Sequence, residues 1–147
     1  SGSWSGGGSD AGGCAPDLAL EGPAVSVMGG GSGSPPASTG GTITQGTYVL
    51  TAATIYPAPA GTTLATVQTT LLLSGSQFEE MDASNGAPPS TSSGRWVTAG
   101  STMGLLASCP SMTMYSWSYS ASPGTLTLTV PPMTGSTATL VETFSLQ

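Results

Sequence analysis

The feature that most constrains this chain is an alternation with a period of two. Thr125–Val130 reads TLTLTV, which puts Leu126, Leu128 and Val130 on one side and threonines on the other. Successive side chains of an extended strand point to opposite faces, so such a segment fits a ribbon with one dry face and one hydroxylic face. The pattern recurs from residue 42 onward. Segment 47–56 (TYVLTAATIY) is β-branched and aromatic and stops at Pro57. Segment 62–75 places Val67, Thr69, Leu71 and Leu73 on one face. Segments 76–84, 95–99, 101–109, 112–121 and 136–147 follow, with Gly75 and Gly100 at tight turns and 85–94 (NGAPPSTSSG) as a loop. No stretch carries a helical stripe with caps. About eight strands at short spacing predict an all-β domain. Each strand follows its neighbour closely, which favours a small antiparallel up-and-down β-barrel, a form that leaves no open edges. A β-sandwich is the alternative, and periodicity does not separate the two.

The 147 residues fit one domain plus an appendage. Only 5% are charged, and 22 glycines and 12 prolines favour turns and linkers. Solubility must come from Ser and Thr, which suits a secreted or surface protein. The net charge is −6, with Arg95 the only base and neither Lys nor His present. Nucleic-acid binding and electrostatic docking on anionic lipid both need basic patches, so neither is expected. No run approaches the ~18–20 apolar residues of a membrane-spanning helix.

Residues 1–41 are dominated by Gly, Ser, Pro and Ala and read as a leader or tether, with 42–147 as the barrel domain. Within the leader, 24–28 is apolar enough for a short strand or a strap on the domain, and Trp4 is isolated among Gly and Ser. The opening SGSWSGGGSDAGG lacks a signal-peptide pattern, so the chain reads as a trimmed, mature form or as one given without its leader peptide. A lipid anchor just upstream of Ser1 is compatible with that reading. Cys14 and Cys109 have no CxxC or His company, which argues against a metal site. They are expected to pair in an oxidising compartment, closing a long loop worth roughly 4–5 kcal/mol in the chain-entropy treatment. Two buried free thiols are the alternative.

The strings GGTITQGTYVLTAATIY, TTLLLSGSQFEE, GRWVTAGSTMGLLASCP, YSWSYSASPGTLTLTV and LVETFSLQ carry a family likeness. Over about the last two-thirds of the chain they resemble the lipocalin-like domains of exported lipoproteins of myxobacteria and relatives. The resemblance implies an eight-stranded barrel carried outward behind a lipid-modified cysteine and a Gly/Ser-rich tether. Gly46-Thr47-Tyr48 stands where lipocalins proper have Gly-x-Trp.

Chemistry-bearing residues are few. Without His or Lys there is no Ser–His or Cys–His nucleophile and no amine side-chain nucleophile. Glu80 and Asp82 share a strand face, with Glu79 on the other. A glycosidase pair or a calcium site can be imagined there, but a solvated acidic patch is the stronger reading. Glu142 falls between Leu140 and Phe144 on the apolar face of the last strand, where a carboxylate is costly unless paired. Arg95 is the one available cation; alternatively a bulge turns Glu142 outward. Tyr115, Trp117 and Tyr119 form an aromatic row, with Trp96 nearby, that could stack on a sugar or an apolar ligand, or simply fill the core. No catalytic residue, metal ligand or cofactor site is expected. The expected function is a non-catalytic, extracytoplasmic, surface-tethered module that binds a small apolar ligand or glycan in or on the barrel. The alternative is a structural or assembly protein of the cell surface or matrix, with self-association.

Overall fold

The computed structural model describes residues 11–16, 18–132 and 136–147; Trp4 lies outside them. After a short 3₁₀ turn at Ala11–Cys14 come nine strands: β1 (Val25–Gly29), β2 (Gly46–Tyr56), β3 (Thr63–Ser74), β4 (Gln77–Ser84), β5 (Ser90–Ala99), β6 (Thr102–Cys109), β7 (Thr113–Ser122), β8 (Thr125–Val130) and β9 (Thr139–Leu146). From β2 to β9 each strand pairs antiparallel with the next, and β9 returns antiparallel to β2, which closes the sheet into a barrel.

β1 makes the barrel mixed. It runs parallel to β2 over Val27–Gly29 and antiparallel to β3 over Val25–Met28. β2 and β3 pair directly only where Gly46–Val49 meets Thr70–Leu73. Beyond that the two strands part and β1 fills the space, so the wall is eight strands around at one end and nine at the other. The compositional break at Gly41 is therefore not a structural boundary. Val25 and Val27 are buried among the core residues of the barrel.

Alternation fills the interior. Tyr48, Leu50, Leu71, Leu73, Phe78, Met103, Leu105, Leu126, Leu128 and Phe144 are all buried. Segment 41–45 crosses the end where the turns at 75–76, 100–101 and 123–124 gather, and Ile43 is buried there. The Tyr48 hydroxyl donates to the Thr44 carbonyl, and the Tyr119 hydroxyl to the Gly41 carbonyl at 2.7 Å. Gly40 bridges Ser120 of β7 at φ +72°, and a Cβ there would stand 2.8 Å from the Gly100 carbonyl oxygen, so a side chain does not fit.

The leader also covers the outer wall. A Cys14–Cys109 disulfide joins it to the end of β6 across 95 residues. Ala15 is buried, and Glu21 exchanges two backbone contacts with the Thr70 hydroxyl, its N–H donating at 2.8 Å and its carbonyl accepting at 3.1 Å. Beneath this stretch Val49, Thr70, Met81 and Thr91 are buried on the outside of the barrel. β5 begins at Ser90, inside the stretch 85–94 read as a loop. The difference arises because its inward residues, Ser90 and Ser92, are polar and face polar partners, so no hydrophobic alternation marks it.

Candidate functional site

Strand register places three carboxylates inside the barrel. Glu80 lies beside Leu71 on β3 and Ser92 on β5, and Asp82 beside Thr69 and Ser90. Glu142 lies beside Ala53 on β2 and Leu128 on β8. Glu80 and Asp82 of β4 are thus turned inward, not spread on a solvated patch, while Glu79 faces the outer wall. The Ser90 hydroxyl donates to Asp82 at 3.1 Å, and Ser92 bonds Glu80. Removal from water, with Asp82 and Glu142 close by, lifts the Glu80 carboxyl to about 8. Burial and Asp82 lift Glu142 to about 7. Burial raises Asp82 as well, against the Ser90 bond. Desolvation and like charge act together here, and no cation opposes them.

The expected Glu142–Arg95 pair is not formed. Arg95 is exposed and follows Gly94, which lies between the inward Phe78 and Ala107, so it projects from the outer face while Glu142 points in. Glu142 also shows the raised proton affinity of an unpaired acid instead of the lowered one a guanidinium would give. Near neutral pH Glu80 and Glu142 titrate, which is a property that general acid–base catalysis exploits. Neither they nor Asp82 line the two clefts described below. Among the described residues no group of three His, Cys, Asp or Glu side chains is arranged to hold a metal ion.

The aromatic set divides. Tyr119 is buried, Trp96 and Trp117 pack against the core, and Tyr115 contacts Trp117 at a ring-centroid distance of 5.6 Å while staying 42% exposed. Trp96, Trp117 and Tyr119 thus all contribute to the packing of the barrel. A cleft of about 580 Å³ lies against the outer wall beside the disulfide and is lined by Cys14, Leu72, Gln77, Glu79 and Ser93 among others. Another, about 330 Å³, is bounded by Ser116, Ser118, Thr129, Pro131, Pro132 and Pro35.

That second cleft marks a change of partner along β7. Its first half pairs with β6, Thr113–Ser118 against Ala107–Thr102. Its second half pairs with β8, beginning only at Ser118. β8 ends at Val130, and Pro131 and Pro132 supply no N–H to continue the ladder. Residues 110–116 are exposed without interruption. On the outer face the register sets Arg95, Leu106 and Met114 in one row and Val97, Gly104 and Ser116 in the next. Met112 is 84% exposed, Met114 74% and Val97 48%. With Tyr115 they make four of the five exposed large apolar side chains among the described residues. Sequence reading singled out Tyr115 but not the methionines. Their signal was present: Met114 alternates with serines on the face opposite the aromatic row.

No family model, curated protein or solved structure matches the chain. Function must therefore be argued from the geometry alone. Among the described residues no helix is long and apolar enough to cross a membrane.

Proposed function

We propose that this chain is a non-catalytic, extracytoplasmic assembly module of a cell surface or its matrix, and that it engages another macromolecule through the outer wall of β5, β6 and β7. The observation that carries the reading is where the apolar surface lies. The interior is occupied by side chains, whereas Val97, Leu106, Met112 and Met114 gather on the outer side of the wall. In a chain that keeps so few large hydrophobic groups in water, such clustering marks a contact surface. Met suits that role because its unbranched, polarisable side chain adapts to a partner. Gly104 keeps the middle of the patch flat. The disulfide supports an oxidising location. The likeness to lipocalin-like domains fits the barrel, and the filled interior favours use of the outside over ligand storage.

Oxidation footprinting tests this. The dilute chain and the chain in its native surface material are treated with peroxide, and conversion of Met112 and Met114 to sulfoxide is measured by mass spectrometry. Both should oxidise readily in the dilute chain and at least several-fold more slowly in the native material. Equal rates in both settings would sink the reading.

A further inference from the structure

The free edge of β7 lies next to the methionine patch, and the strand's own parity says what fits it. Tyr119 N–H donates to Ser101 at 2.8 Å and its carbonyl accepts from Gly40 at 2.8 Å, while Ala121 N–H donates to Gly40 at 2.8 Å. Odd-numbered backbone groups therefore face the β6 side. Backbone groups alternate along a strand, so the N–H and C=O of Met114 and Ser116 face the other way, into the gap before Pro131. Among the described residues no strand pairs with them there. An edge of this kind is a template for another strand.

We propose that a second copy of this chain occupies that edge, β7 against β7 in antiparallel pairing about a two-fold axis at Met114. This deepens the assembly reading and rests on it. Three observations select a second copy. An antiparallel two-fold at an even residue sets gap-facing groups opposite gap-facing groups, so Met114 meets its own counterpart and exchanges both backbone hydrogen bonds. The same register puts Thr113 across from Tyr115 of the second copy, a β-branched–aromatic pair of the kind that stabilises sheets, and brings the two Met114 side chains together. Finally, residues 110–118 (PSMTMYSWS) carry no charge in a chain of net −6, so this is a face on which two like-charged copies can meet without opposing carboxylates. Each copy would thereby cover exposed apolar groups it otherwise leaves in water.

Sedimentation equilibrium of the full, oxidised chain from micromolar to millimolar concentration tests the pairing. A monomer–dimer equilibrium is expected. Met114→Pro removes an N–H that pairs with none of the monomer's described residues, so it should weaken dimerisation at least tenfold while leaving the far-UV circular dichroism unchanged. Met114→Lys should do the same by charge, which keeps the test alive if the proline variant folds badly. Leu64→Lys, on an exposed position of β3, should dimerise like the parent. Slowed amide exchange at Met114 and Ser116 on dimerisation locates the contact. A dimer that survives both Met114 substitutions overturns the edge pairing. A strict monomer whose methionines are still protected in native material also overturns self-pairing, yet leaves the assembly reading standing with a different partner. A strict monomer without that protection ends both.

Discussion

Glu80, Asp82 and Glu142 give the barrel an acid-stabilised interior. A carboxyl raised by folding holds a proton that the unfolded chain has released. For Glu80 this holds between its ordinary value of 4.5 and its folded value of about 8, and for Glu142 between 4.5 and about 7. Across that range the folded state binds more protons, so stability falls as pH rises. The loss begins above about 4.5 and is complete once pH has passed 8. Urea unfolding should therefore give a lower midpoint at about pH 9 than at about pH 5, by a difference on the order of a few kcal/mol. Glu80→Gln should flatten much of that dependence and raise stability at the alkaline end. A parent protein equally stable at both values would mean that the carboxylates are in water. Gly94 carries a second residue-scale prediction. It sits at a register shift between β5 and β6, and a Cβ there would stand 2.1 Å from the Leu106 carbonyl oxygen. Gly94→Ala should lose about 1–3 kcal/mol or more, since backbone instead of a flexible side chain blocks the space. Thermal melts of the two proteins provide the measurement. The inward placement of Glu142 was legible because Leu140 and Phe144 bracket it. Its lack of a cation was not, because alternation gives the face of Arg95 only once the bulge next to it is known.

At the scale of elements, alternation located β2, β3, β4, β6, β7, β8 and β9 to within a few residues, and it failed where both faces of a strand are covered. β4 shows why. Phe78, Glu80 and Asp82 face inward, while Met81 on the other face is buried beneath the leader. With acids on its inner face and a buried methionine on its outer one, the strand reverses the usual polar–apolar contrast, so the acids looked like a solvated edge. β5 failed for the complementary reason, since its first residues match carboxylates with hydroxyls. β1 was only half legible. Its apolar content was visible, but its place between β2 and β3 depends on a hairpin that opens, and that is a non-local fact. The role of β1 as part of the wall is testable. Val27→Ala should cost about 2 kcal/mol through lost apolar burial and the space left behind. It should also speed amide exchange in the far half of β2 and the first half of β3, where β1 alone bridges them. A free tether would show neither effect. Cutting the Cys14–Cys109 bond by mild reduction should lower stability by roughly 2–5 kcal/mol and expose Thr70 and Met81, which the leader covers. Protection of those two residues measured before and after reduction gives the outcome directly.

For the whole molecule, the distribution of charge decides how copies treat one another. Seven acids and one base make the chain uniformly negative, yet Glu80, Asp82 and Glu142 are drawn into the barrel and the face of β5 to β7 carries only Arg95. Beside Arg95, that face is left with hydroxyls for solubility and methionines for contact. Two copies meeting at β7 therefore gain apolar burial and backbone pairing against a diffuse repulsion of like net charges. Salt screens that repulsion and leaves the contact itself untouched. Dimerisation should tighten several-fold as ionic strength rises from about 0.02 M to about 0.5 M, where the Debye length shrinks from roughly 20 Å to a few ångström. Lowering pH toward the isoelectric value of about 4.1 should act in the same direction, because it removes the net charge. An interface built on Arg95 reaching a carboxylate of the other copy would behave in the opposite way and loosen with salt. The sign of the salt dependence, read from sedimentation equilibrium at fixed pH, thus separates an edge-paired assembly from an ion-paired one. The pH arm needs the Glu80→Gln chain beside the parent. That variant keeps the outer surface unchanged and reduces the titration of the interior, so any tightening that persists in it comes from the copies' mutual charge and not from a more stable barrel.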